Sequence, residues 1–120
     1  MAHQVVWFDI PVRDLDRAIR FYSEVLGAKV KKEEFPGGAN GVLAHEDGEV
    51  AGCLVKRDRE APSDHGVLLY LNVQSRLDRA IAAVEGNGGK VIEPKHPIGP
   101  YGFRAIILDS EGNRLALHSM

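Results

Sequence analysis

Leu15-Asp16-Arg17-Ala18-Ile19 returns letter for letter as Leu77-Asp78-Arg79-Ala80-Ile81, an offset of 62 in a chain of 120 residues. The agreement continues outward at an offset of 61: Val12 with Val73, Gly27 with Gly88, Lys29-Val30 with Lys90-Val91, and Pro36 with Pro97. Two tandem copies are too few for a solenoid, in which each repeat buries its face on a neighbour. They read instead as two halves of one body.

Each copy carries the same order of signals. In the first, Val5 to Val12 alternates as a strand, with Val6, Phe8 and Ile10 on one face and Val5, Trp7, Asp9 and Pro11 on the other. Asp14 is placed to cap a helix whose apolar stripe is Leu15, Ala18, Ile19, Tyr22, Val25 and Leu26, and Gly27 ends it. Ala28 to Phe35 reads as a strand and Pro36 to Gly41 as a loop. Asp47-Gly48 then signals a hairpin between Val42 to His45 and Glu49 to Lys56.

The polar stretch 57–66, with Pro62 and no apolar period, reads as a linker. Val67 to Val73 opens the second copy, with Leu68, Tyr70 and Asn72 on the face opposite Leu69, Leu71 and Val73. Ser75 is the expected N-cap of a helix that buries Leu77, Ala80, Ile81 and Val84 and stops at Gly86-Asn87-Gly88-Gly89. A strand over Lys90 to Lys95, a loop over His96 to Gly102, and a hairpin of Arg104 to Asp109 with Arg114 to Ser119 complete it. The reading is an α+β fold of two tandem βαβββ modules, residues 1–56 and 67–120, within one domain spanning 1–120. Each helix covers one face of its sheet and leaves the other face for a pocket.

A net charge of −2 with interspersed signs provides no basic stripe for nucleic acid and no cationic face for a membrane surface. The start of the chain lacks the pattern of a secretory signal, and no apolar run reaches the roughly 18 residues of a membrane span. The expectation is a cytoplasmic protein. The single Cys53 has no sequence-local base and reads as a small buried hydrophobe. Phosphate loops, nucleophile elbows and CxxC pairs are missing from the sequence, which disfavours nucleotide hydrolysis, serine hydrolysis and thiol redox chemistry.

Two stretches, Asp14-Leu15-Asp16-Arg17-Ala18-Ile19-Arg20-Phe21-Tyr22 with Gly27, and Asp109-Ser110-Glu111-Gly112-Asn113-Arg114-Leu115, resemble the vicinal oxygen chelate superfamily. That is the group of glyoxalases, bleomycin-resistance proteins and extradiol dioxygenases. The resemblance covers nearly the whole chain, with Ser110 where the family commonly has proline. It implies paired βαβββ modules, a homodimer, and a divalent metal held by four side chains on the first and last strands of the modules. Those positions fall here on Trp7, Gly52, Leu68 and Ala116, which offer no donor to a metal that needs several nitrogen or oxygen ligands. The expectation is therefore no metal and no cofactor. The alternative of a displaced set using His3, Asp9 and His118 has no compact ligand spacing behind it.

The leading expectation is a homodimeric binder of a small-molecule ligand, its pocket drawn from Trp7, Asp9, Gly52, Leu68, Tyr70, Asn72, Tyr101, Arg104, Ala116 and His118. Trp7 offers a ring for stacking, Tyr70 and Asn72 offer hydrogen bonds, and Tyr101 sits in a Gly-Pro-Tyr-Gly loop suited to a lid. His118 shares the strand face of Ala116. The competing expectation is a metal-independent lyase or isomerase in which Asp9 moves a proton while Tyr70, Asn72 or Arg104 stabilises developing charge. Against it, Asp9 also reads as a structural partner of Asn72, Arg104 or a backbone N–H, since an inward carboxylate needs one.

Overall fold

The structure, a computed structural model, describes residues 3–120. The first module runs β1 (Trp7–Pro11), α1 (Leu15–Leu26), β2 (Lys31–Phe35), β3 (Gly38–Val42) and β4 (Ala51–Val55). The second runs β5 (Leu69–Asn72), α2 (Leu77–Gly86), β6 (Lys90–Pro97), a 3-10 turn over Gly99–Tyr101, β7 (Phe103–Leu108) and β8 (Arg114–Ser119). The sheets have matching orders, β1-β4-β3-β2 and β5-β8-β7-β6, with the first and last strand of each module parallel and the rest antiparallel. Two βαβββ units are thus present, as the repeat implies.

Local chemistry accounts for α1. The Asp14 carboxylate accepts the Arg17 N–H at 3.0 Å, which satisfies one of the free amides of the first turn, and Gly27 closes the helix in the left-handed region at φ 69°. The predicted stripe buries Ala18, Tyr22 and Val25, joined by Phe21. Both helices and the facing sides of both sheets merge into one apolar cluster, from Ile10, Val12 and Leu54 to Leu71, Val73, Ile107, Leu115 and Leu117. Full burial of each such side chain contributes about 1.5–3 kcal/mol.

Beyond apolar packing, a polar joint ties the modules. The β7–β8 turn of the second module reaches the start of α1 in the first: Glu111 Oε1 accepts the backbone N–H groups of Arg13 and Asp14 at 2.8 and 2.9 Å, and Arg17 Nε meets Glu111 Oε2 at 2.7 Å. Beside it, buried Asp109 accepts the N–H groups of Glu111 and Asn113, the Asn113 side-chain amide and the Tyr22 hydroxyl. The Asn113 amide also donates to the Pro11 carbonyl at 2.8 Å. The two stretches that carry the family resemblance are the two sides of this joint.

Four expectations are corrected. The segment Pro36 to Gly41 is a two-residue turn at Pro36-Gly37 followed by β3, because Gly41 passes under α1 so closely that a Cβ would meet Ile19 at 3.0 Å and Val30 at 3.2 Å. Ser75 does not cap α2; it sits at φ 67°, and Arg76 occupies the cap position while its guanidinium donates to the Val25 carbonyl at the end of α1. The loop over His96 to Gly102 is shorter than expected, since β6 continues to Pro97. Gly52 faces the helices, not the open side of its sheet: it pairs with Phe8, whose ring lies where a Gly52 side chain would stand.

That last placement has a measurable consequence. Gly52→Ala is expected to destabilise the protein by about 2 kcal/mol through overpacking against Phe8, read as a lower urea midpoint at unchanged slope.

Candidate functional site

The sheet faces turned away from the helices carry two separate groups of polar side chains. On the second sheet, β5, β7 and β8 bring Tyr70 opposite Ala116, and Arg104 opposite His118. With Ile98 and Tyr101 from the turn after β6, Tyr70, Arg104 and His118 line a cavity of about 450 Å³. That volume falls in the usual range for small-molecule sites, about 300–1,000 Å³.

Hydrogen bonds fix this group. His118 Nε2 donates to the Tyr101 carbonyl at 2.6 Å, which pins the 3-10 turn to β8. The Ile98 N–H to Gly102 carbonyl bond of 2.9 Å closes the same turn. The Gly-Pro-Tyr-Gly segment is thus a short anchored wall with an exposed Tyr101 ring. Arg104 donates through Nε to His96 Nε2 at 3.0 Å and through a terminal nitrogen to the Tyr70 hydroxyl, while its guanidinium lies 5.9 Å from the Tyr70 ring centre. His96 Nδ1 faces the Pro94 carbonyl at 2.9 Å, so it carries the hydrogen and leaves Nε2 as the acceptor. The Tyr70 and His118 rings meet edge to face at 6.2 Å.

On the first sheet, Asp9 is the centre of a different cluster. It accepts from Trp7 Nε1 at 3.0 Å, Cys53 Sγ at 3.3 Å and Arg57 at 3.0 Å, and Arg57 also pairs with Glu60 at 2.8 Å. Partial burial pushes the Asp9 carboxyl up, but the hydrogen bonds from Arg57, Cys53 and Trp7 outweigh it and hold the group below the usual carboxylate range. Burial, with the Asp9 hydrogen bond and charge, pushes the Cys53 thiol up to about 11, so it stays protonated. Asp9 has structural partners, as one reading of the sequence held, although they are Trp7, Cys53 and Arg57 in place of Asn72 and Arg104.

The remaining sequence candidates lie around these clusters, Asn72 and Gly52 lining with Tyr70 a cavity between the modules and Ala116 lying opposite Tyr70. Asn72 Oδ1 accepts the Gln74 N–H at 2.8 Å, a local turn bond at the end of β5. Leu68 lies just before β5 and is half-buried, and Ala116 is fully buried beneath the open face. That cavity between the modules holds about 490 Å³, and Phe8, Leu26, Gly52 and Leu71 make much of its wall apolar. Sequence reasoning missed Ile98 and His96, the first because it sits outside any strand. The alternation in β6 that would have pointed to His96 is broken by two register shifts.

The four positions assigned to metal ligands by the resemblance do not fit a metal. Trp7 presents an N–H already given to Asp9, and Leu68 and Ala116 have only carbon side chains. Gly52 turns to the helices, and the β4 position that matches Ala116 is Cys53, paired with Asp9 as Ala116 is with Tyr70, its thiol donating to Asp9 at 3.3 Å. Of the displaced set, Asp9 is engaged by three donors, and His118 holds the Tyr101 carbonyl. Among the described residues no three His, Cys, Asp or Glu side chains are grouped as a metal set. Nor, among them, is any helix long and apolar enough to cross a membrane.

Comparison with known proteins gives consistent results. Residues 4–117 match a profile described as the Glyoxalase/Bleomycin resistance protein/Dioxygenase superfamily. A "Glyoxylase-like domain-containing protein" of Didymella fabae is 30% identical over 125 residues, covering 95% of this chain and 91% of that one. Among solved structures, a glyoxalase/bleomycin resistance protein from Albidiferax ferrireducens T118 superposes with a TM-score of 0.79 at 20% identity, covering 98% of this chain and 99% of the other. Another, from Streptomyces sp. CB03234, gives 0.71 at 25% identity, with 96% and 99% covered.

Proposed function

The chain belongs to the glyoxalase/bleomycin resistance protein/dioxygenase superfamily, and from that premise we propose that it binds a small organic molecule on the open face of its second sheet without the family metal. The observation that carries this reading is the cavity among Tyr70, Ile98, Tyr101, Arg104 and His118, which combines aromatic and aliphatic walls with a few fixed polar groups. The side chains at Trp7, Leu68 and Ala116, which offer no free donor to a metal, and the Cys53 thiol already given to Asp9 support the metal-free part.

A proton-transfer role for Asp9 is not favoured. A general base works best with its pKa near the operating pH, and this carboxylate is held in the opposite direction by three donors. The cluster on β1 and β4 acts as a structural clip, in which Arg57 fastens the start of the linker to the sheet.

The reading includes a homodimer. Trp7, Tyr70 and Tyr101 leave 46%, 43% and 70% of their surface exposed, a pattern suited to cover by a second copy. Sedimentation at twice the chain mass is the expected result, and a single-chain mass at high concentration would remove that part.

The test of binding uses chelator-treated protein and a library of small aromatic and aliphatic compounds, read by saturation-transfer NMR. Compounds are expected to bind with chelator present and to be lost in Ile98→Trp, which fills the cavity from a turn without entering the core. Binding that requires an added divalent ion, or that survives Ile98→Trp unchanged, would contradict the proposal.

A further inference from the structure

Arg104 is engaged without an ion pair, as Arg76 and Arg114 are on the Val25 and Gly66 carbonyls, but it alone of the three lines the cavity of the second sheet. Arg17 pairs with Glu111, Lys32 with Asp16, Arg57 with Asp9 and Glu60, and Lys95 with Asp78. None of the seven ion pairs among the described residues includes Arg104. It is nevertheless held in place by two neutral acceptors, the Tyr70 hydroxyl and His96 Nε2. A half-buried guanidinium immobilised at a cavity wall without a counter-ion is prepared to receive one, because its ordering and partial desolvation are already in place.

We propose that the cavity takes a small organic acid, its carboxylate on Arg104 and the Tyr70 hydroxyl and its apolar body against Ile98, Tyr101 and the His118 ring. This rests on the binding reading above and names the class of ligand. Tyr70 receives a hydrogen bond from Arg104 through its oxygen, so its own hydrogen remains to donate. The outer guanidinium N–H groups and that hydroxyl then converge on the same acceptor. Charge-assisted bonds of this kind are about twice as strong as neutral ones.

A carboxylate matches the site better than a phosphate. Arg104 is the only Lys or Arg among the cavity-lining residues, and one guanidinium balances one negative charge. A phosphate dianion would bring a second charge into a protein of net charge −2. The walls of Tyr101 and Ile98 call for an apolar or flat body behind the acid, where a ring gains most from contact.

The experiment is a titration of ¹⁵N-labelled, chelator-treated protein with phenylacetate, phenylacetamide and phenyl phosphate, followed by amide shifts. Phenylacetate is expected to move the signals of Tyr70, Tyr101, Arg104 and His118 saturably, with phenylacetamide and phenyl phosphate at least tenfold weaker. Arg104→Gln should remove the preference for phenylacetate over phenylacetamide, and Arg104→Lys should restore part of it. Equal affinity for acid and amide, or an acid affinity untouched by Arg104→Gln, would overturn the acid assignment while leaving the binding site standing. Tighter binding of phenyl phosphate would overturn the choice of carboxylate. Failure of all three probes to move the cavity signals would overturn this inference together with the reading it rests on.

Discussion

Asp109→Ala is expected to cost about 4 kcal/mol or more of unfolding free energy, a large part of the roughly 5–15 kcal/mol that holds a domain of this size together. Asp109 is 2% exposed, and its two oxygens accept four hydrogen bonds, from two backbone amides of the β7–β8 turn, the Asn113 amide and the Tyr22 hydroxyl. Removing the carboxylate leaves these donors buried without an acceptor, and each such orphan costs about 1–3 kcal/mol. Tyr22 lies on α1 and Asp109 in the second module, so the loss falls on the joint between modules. Urea denaturation checks the magnitude. Tyr22→Phe, which removes one donor along with its partner bond, should cost far less. A near-neutral Asp109→Ala would show that the joint does not hold the modules together.

Glu111 governs how the joint responds to acid. Burial pushes its carboxyl up, but Arg17, the Asp14 and Arg13 amides and the Ser110 hydroxyl hold it down to about 2 from an ordinary 4.5. A group whose folded pKa is depressed contributes stability that is fully present above its unfolded value and lost as pH falls through the folded one. The Glu111 contribution is therefore complete above about pH 4.5 and disappears toward pH 2. Its size is about 2–3 kcal/mol: the rule that one pKa unit is about 1.4 kcal/mol gives about 3.5, and solvent screening of the half-exposed Arg17 lowers it. Glu111→Gln should lower stability by about that amount at pH 7 and flatten the fall between pH 4.5 and pH 2. Denaturation midpoints of both proteins across that range provide the comparison, and parallel acid limbs would contradict the assignment.

The repeat made most of the architecture legible because helix spacing and end signals are local. Asp14 and Gly27 bracket α1 where the sequence places them, and Arg114 to Ser119 is a strand with the expected limits. Period-two alternation also placed Tyr70, Asn72, Ala116 and His118 on one face of the second sheet, and the pairing of Arg104 with His118, which alternation alone left open, adds it to them. The same counting failed at Gly52 because the two hairpins differ in length. β8 starts two residues after Gly112, at Arg114, but β4 starts three residues after Gly48, at Ala51. One extra residue reverses every side chain of a strand.

β3 was missed for a related reason. Its Gly38-Ala39-Asn40-Gly41 run has turn composition, and only the close approach of α1 to Gly41 explains the glycine there. The partners of Asp9 were out of reach as well. Arg57 arrives from the linker by a path that no local pattern encodes, and the Glu111 joint spans 94 to 98 positions of sequence. The acids at the β7–β8 turn read as turn chemistry, and their role emerges only when the second module is laid against α1.

The most direct test of the account is a crystallographic soak of small organic molecules into crystals grown from chelator-treated protein. The account predicts that bound molecules collect against Tyr70, Tyr101, Arg104 and His118 with no metal between ligand and protein. Occupancy confined to the Trp7–Asp9 face, or to the groove between the modules, or appearing at the cavity only after a divalent ion is added, would contradict it.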